Sequence, residues 1–247
     1  MIAPAAIALA GAVDEGFFRD RSSDTLACEA RPDEVFCFGW ARENIDRFLT
    51  PTLEHLEMVV ASVAAGFVVA FALALLAHRR GWLRPPLLAA TGVLYTIPSL
   101  ALFFLLLPLT GLGRTTAIVV LAAYTLQIIY RNTIIGLANV PAATKDAARG
   151  MGYTERQVLW RVELPLALPE IVAGLRVATV STVALATLAV FVGAGGLGTQ
   201  IYGGGNLTFP TSVLIAAAIV ILMALVLEAA LLLAQRRLTP WRRARAS

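Results

Sequence analysis

Apolar positions run through this chain in long uninterrupted blocks, each closed by a short polar or charged segment. Residues 58–77 (MVVASVAAGFVVAFALALLA) are 20 consecutive uncharged positions. At about 1.5 Å per residue such a run just crosses a hydrocarbon core roughly 30 Å thick. Further runs cover residues 87–109, 115–137, 169–192 and 211–234; the third passes Arg131 near its end, and the fourth carries Arg176 near its start. Inside lipid the backbone has only itself to bond, so each span must be a helix. The pattern predicts an all-α integral membrane protein with five spans.

Polar residues inside the spans are few. Tyr95, Pro98 and Ser99 interrupt the second span, and Pro98 is expected to kink it by freeing a carbonyl. Gln127 lies in the third span and Asn132 near its cytoplasmic end. These five are candidates for lining or gating a pore, although polar side chains also hold helices together. Glu228, two turns from the end of the fifth span, reads as a snorkelling or locally paired group in preference to a proton relay.

One stretch breaks the apolar rhythm. Residues 146–165, DAARGMGYTERQVLWRVELP, hold three arginines, three acids, two glycines and a proline. Pro141 pre-sets a first helical turn, so a helix through Ala142–Gly150 is expected, with Gly152 as its left-handed stop. Thr154-Glu155-Arg156-Gln157 has the spacing of a capping box and starts a second helix. That helix is expected to end at Leu164-Pro165, with Pro169 opening the fourth span. Ala147 and Ala148 leave a smooth face edged by Arg149 and Arg156. The cassette reads as a docking element between spans three and four, with a solvated amphipathic loop as the alternative.

Charge orients the whole. The segments 78–84, 131–165 and 235–247 carry 13 of the 20 Lys and Arg residues and share one side of a five-span topology. The first 57 residues carry five Arg against eleven Asp and Glu. The positive-inside rule then puts the N-terminus outside and the C-terminus in the cytoplasm. Three regions follow: an extracytoplasmic acidic segment at 1–54, a transmembrane domain at 55–237 with its cytoplasmic loop at 141–165, and a basic tail at 238–247. With 15% charged residues and a mean hydropathy of +0.76, the net charge of +4 is a topology signal and no nucleic acid is expected as partner. The opening MIAPAAIALAGAV is too short to span and lacks the basic start of a cleaved signal, despite Ala8-Leu9-Ala10. The tract around Trp40, Ile45, Phe48 and Leu49 suits a helix lying on the outer surface. Cys28 and Cys37, the only cysteines, are a candidate disulfide on that side, with two free thiols as the alternative.

Several chemistries are excluded. His55 and His78 are assigned to opposite sides of the membrane and no Cys/His cluster exists, which argues against a metal site or a Ser-His catalytic site. No catalytic residue is expected. Gly193-Ala-Gly195-Gly196-Leu-Gly198 matches a dinucleotide fingerprint, yet it follows a membrane span and has no acid before Glu228. It reads as a flexible outer loop with close helix approach near Gly193. No phosphate-binding loop is present, so any nucleotide must be bound by another subunit.

The spacing Asp146-Ala147-Ala148, three residues, Gly152, nine residues, Val162, one residue, Leu164-Pro165 resembles the EAA loop of ABC-importer permeases, E-A-A-x3-G-x9-I-x-L-P, with Asp for Glu and Val for Ile. Within that superfamily the chain resembles the osmoprotectant permeases for glycine betaine, carnitine and choline. The segments Thr96–Ala101, Arg131–Thr133, Gly150–Gly152, Val162–Pro169 and Gly193–Gly198 carry that likeness over roughly residues 55–235. The resemblance implies a five-helix type I importer permease core in the bacterial cytoplasmic membrane. It implies a pore made with a second copy or a sister permease, an ABC ATPase dimer below that binds ATP and Mg, and an extracytoplasmic binding protein above. Asp146, Ala147, Ala148, Arg149, Gly152, Arg156, Leu164 and Pro165 would couple to the ATPase, and this chain itself would bind no cofactor. The alternatives are a permease for another small solute, such as an amino acid, and an ATP-independent channel or secondary transporter.

Overall fold

The computed structural model describes residues 36–206 and 209–239, and among them no strand forms. A short helix α1 (Phe38–Glu43) and a 3-10 turn (Ile45–Phe48) lead directly into α2 (Leu49–Arg79). A 3-10 turn (Gly81–Leu83) is followed by α3 (Arg84–Thr96), α4 (Ser99–Thr110) and α5 (Arg114–Ala138). The central cassette supplies α6 (Ala142–Gly150) and α7 (Glu155–Val158). A π-helical turn (Leu159–Glu163) joins α7 to α8 (Leu164–Ala186), which tightens into a 3-10 turn (Thr187–Val192). Helices α9 (Leu197–Asn206) and α10 (Pro210–Leu238) complete the fold. Among the described residues, four helical segments are long and apolar enough to cross a membrane, and the bent pair α3–α4 makes a fifth if counted as one span.

Helix α5 lies at the centre, packed most extensively against α2 and α8, while α10 covers α8. Small residues make this possible, as expected where no hydrophobic drive exists between helices in lipid. A Cβ on Gly66 of α2 would overlap Thr125 Oγ1 of α5, and a Cβ on Gly174 of α8 would stand 2.5 Å from the Asn132 Cβ of α5. Ala70, Ala74 and Ala77 of α2, one face by their i, i+4, i+7 spacing, are buried with Ile129, Tyr130 and Ala178.

The second span is broken where the sequence predicts a kink. Residues 87–109 do not form one helix: α3 and α4 meet at 99° across Ile97-Pro98. The residue before a proline is driven to extended backbone, and Ile97 sits at φ −66°, ψ 128°. The Tyr124 hydroxyl donates to the stranded Ile97 carbonyl, which settles the break.

The fourth span differs in the other direction. Leu164-Pro165 does not stop the preceding helix, because α7, the π turn and α8 run on as one continuous segment from Glu155 to Val192. A proline lacks its N–H and crowds the carbonyl four residues back. The wide π turn directly before Pro165 absorbs both defects.

Two further expectations change. The glycine-rich segment is an ordered turn and then a helix, α9, which packs on α10. Gly195 and Gly196 take positive φ, and the close approaches are at Gly195, Gly196 and Gly198; a Cβ on Gly193 would meet nothing. The Gly196 N–H donates to Glu54 Oε2 at 2.9 Å, and Arg114 bridges Glu54 and Glu57, so the turn is tied to α2 and α5. Near the start, Trp40 and Phe48 are buried and Trp40 meets Phe209 edge-on at 4.7 Å. Only Ile45 and Leu49 of that tract face outward.

Candidate functional site

The central cassette is built by local rules from end to end. α6 closes with a Schellman pair, Tyr153 N–H to the Ala148 carbonyl at 3.1 Å and Gly152 N–H to the Arg149 carbonyl at 2.9 Å. Gly152 carries the left-handed φ of +86° that this stop requires. Thr154 then forms the expected capping box: Gln157 N–H donates to its Oγ1 at 3.4 Å, and its own N–H donates to Gln157 Oε1 at 2.8 Å.

Side chains fix the angle between the two short helices. Glu155 accepts from Arg149 through both oxygens, at 2.8 and 3.1 Å, while Arg149 Nη1 reaches Asp146 at 3.0 Å. The Glu155 hydrogen bond, with help from Asp146, holds the guanidinium well above its ordinary range, so the clamp keeps its charge. Arg149 thus spends its donors inside the cassette, and Arg156 is exposed beside it. The two alanines divide: Ala147 is exposed, whereas Ala148 is 2% exposed and packs inward. Leu164 is buried and Pro165 half-buried where the π turn meets α8.

An acid that sequence reasoning passed over ties this cassette to the membrane helices. Glu163, 5% exposed, ends the π turn. Its Oε1 pairs with Lys145 Nζ of α6 at 2.9 Å, and its Oε2 accepts from His78 Nε2 at the end of α2 at 2.7 Å. Arg84 Nη2, at the start of α3, donates to His78 Nδ1 at 3.2 Å. The available signal was an acid set between apolar Val162 and Leu164 in a chain whose single lysine stands eighteen residues earlier, but neither fact names the partner.

The candidate pore residues separate into two groups. Tyr95 is 45% exposed at the α3–α4 break and meets Tyr124 edge-on at 5.7 Å. Pro98 is exposed and Ser99 half-buried beside it. Gln127 faces α3, the helix that carries Tyr95: its Oε1 accepts from Thr91 at 2.5 Å. Asn132 does not: it donates to the Ile128 carbonyl at 2.8 Å and fills the space left by Gly174. Across the bundle, Arg176 pairs with Glu228, Arg176 Nη1 donates to Gln235 at 3.0 Å, and Gln235 donates to the Pro169 carbonyl at 2.9 Å. That network joins α8 to α10 and gives Glu228 the local partner expected of it. Cys37 is buried and its N–H donates to Thr211 Oγ1 at 3.0 Å, while Cys28 lies outside the described residues.

Comparison with known proteins agrees with this architecture. Over 81% of its length the chain is 39% identical to the carnitine transport permease protein OpuCB of Listeria monocytogenes, spanning 91% of that protein. It is 36% identical over 80% of its length to the choline transport system permease protein OpuBB of Bacillus subtilis, covering 91% of that chain. The osmoprotectant import permease protein OsmW of Salmonella typhimurium is 36% identical over 80% of the chain and is 94% covered. Among solved structures, an inward-facing MetNI methionine ABC transporter superposes with a TM-score of 0.72 at 25% identity, covering 78% of this chain and 96% of the other. Residues 62–243 match the family described as binding-protein-dependent transport system inner membrane component, and the chain belongs to that family.

Proposed function

We propose that this chain is the permease subunit of an ATP-driven importer that carries a quaternary-ammonium osmoprotectant such as glycine betaine, choline or carnitine into the cell. The N-terminus lies outside and the C-terminus in the cytoplasm, where 13 of the 20 basic residues collect. Helix α6, with Asp146, Ala147, Ala148, Arg149, Gly152 and Arg156, docks on a separate ATPase dimer that binds ATP and Mg. A second copy or a sister permease completes the pore, a binding protein delivers solute from outside, and Cys28 bonds Cys37 on that outer side. Tyr95, Pro98, Ser99 and Gln127 line the path; Asn132 holds α5 to α8. An ATPase can drive the transition only through unequal affinity for two permease conformations. The observation that carries this reading is the exposed hairpin α6–α7, clamped by Arg149 and Glu155, which continues without a stop into the membrane helix α8.

The test is uptake of labelled glycine betaine, choline and carnitine into vesicles that hold the permease with its ATPase and binding protein. Accumulation of at least one of the three that requires ATP supports the reading. Uptake indifferent to ATP marks a channel or secondary transporter. ATP-driven uptake of an amino acid alone favours the solute named for the MetNI structure, a second reading that rests on lower identity.

A further inference from the structure

We infer that Glu163 is a positioning residue that transmits movement of α6 to the membrane helices, acting through Lys145 on one side and His78 on the other. The inference rests on the docking role proposed for α6.

Helix α6 is only nine residues long and buries one residue, Ala148. An isolated helix of that length is marginal in water, and one alanine offers little surface to pull on. The strong tie between α6 and the bundle is ionic. Lys145 points back to Glu163, and both side chains are largely shielded, at 19% and 7% exposed. A carboxylate in such a place cannot lose its cation cheaply, because breaking a shielded pair strands a charge with no water to receive it. A displacement of α6 therefore drags the π turn with it instead of opening a gap.

The second oxygen carries the displacement on. With Nε2 against Glu163 and Nδ1 against Arg84, His78 has both ring nitrogens engaged. Arg84 Nε also donates to the Ala77 carbonyl at 3.4 Å. Glu163 itself stands at the root of α8. One carboxylate thus joins the docking helix to the ends of three membrane helices, α2, α3 and α8. The π turn contributes by placing that carboxylate: it precedes Pro165 and changes the helical phase of residue 163 relative to the α8 face.

The experiment reads glycine betaine taken up per ATP hydrolysed in the full assembled complex. Lys145→Met and Glu163→Gln are each expected to lower that ratio roughly tenfold, within the usual span of inter-site coupling. The double variant should be no worse than either single change, and Lys145→Arg, which keeps the charge, should stay close to wild type. If uptake and hydrolysis fall together in Lys145→Met and Glu163→Gln, leaving the ratio unchanged, the pair is merely structural and the inference is overturned. A normal ratio in both variants overturns it equally. Failure of the unaltered complex to take up any of glycine betaine, choline and carnitine with ATP would instead remove the importer reading itself.

Discussion

Gly66 and Thr125 touch: a Cβ on the glycine would occupy the space of the threonine Oγ1. This contact lies in the α2–α5 interface, the most extensive among the described residues, so its size limit is strict. Thr125 cannot retreat, since its hydroxyl donates to the Ala122 carbonyl at 2.7 Å.

Gly66→Val is therefore expected to destabilise the bundle by about 1–3 kcal/mol or more through overpacking. Gly92→Ala is the control, because a Cβ there meets only Gln127 Nε2 at an ordinary 3.7 Å. Thermal unfolding of detergent-solubilised protein checks the pair. Equal Tm values for the two variants would remove the close-approach account.

At Gly152 the constraint is backbone and not volume, since φ is +86° and no atom lies near a Cβ. Gly152→Asn is expected to keep most uptake and Gly152→Val to lose most of it, because a β-branched residue resists the left-handed region by about 1–2 kcal/mol. Gly152→Trp adds bulk on the face proposed to dock and should abolish uptake with membrane insertion intact. Normal transport by the tryptophan variant would count against docking.

Arg176→Leu leaves Glu228 without its cation between two membrane helices, whereas Arg176→Leu with Glu228→Leu removes both charges. The single change is expected to cost about 1–3 kcal/mol, discounted from fully buried pairs because both side chains keep some exposure, and the double change less. A Tm series on the two variants decides; a double variant less stable than the single would show that the pair does more than neutralise itself.

The break at Ile97-Pro98 rests on the N–H that Pro98 lacks, with the Leu94 carbonyl taken instead by the Ile97 N–H at 3.4 Å, and on the Tyr124 hydroxyl that donates to the Ile97 carbonyl. Pro98→Ala with Tyr124→Phe should let the helix close across the gap. Spin labels at positions 88 and 105 are then expected to move apart relative to wild type. An unchanged distance distribution would mean that tertiary packing alone holds the 99° bend.

A cap prediction is local. Thr154→Ala removes the acceptor for the Gln157 N–H and should cost about 1 kcal/mol. Faster hydrogen exchange confined to residues 155–158 is the expected signature, with α8 unchanged. Protection lost along the whole of α8 would show that the two segments unfold as one.

Whatever depends on neighbours within a turn, or on the solvent around a whole segment, is legible in the order of residues. Apolar runs dictate membrane helices because lipid leaves the backbone no other partner. Pro141, Gly152 and the Thr154–Gln157 spacing dictate α6, its stop and the cap of α7, since those bonds close within five residues. Other outcomes needed the fold. Pro98 and Pro165 carry the same local defect, yet one ends a helix and the other rides inside one. The difference lies in what stands nearby, a tyrosine hydroxyl for Ile97 and a π turn before Pro165. Glycines 203–205 look like a loop until α10 packs against them and gives a helix something to cover. The partners of Glu163 stand 18 and 85 positions away, and Glu228 meets Arg176 across 52. An ion pair reports no periodicity along the chain. Its members are fixed only when packing removes water from around one charge and leaves a single opposite charge within reach.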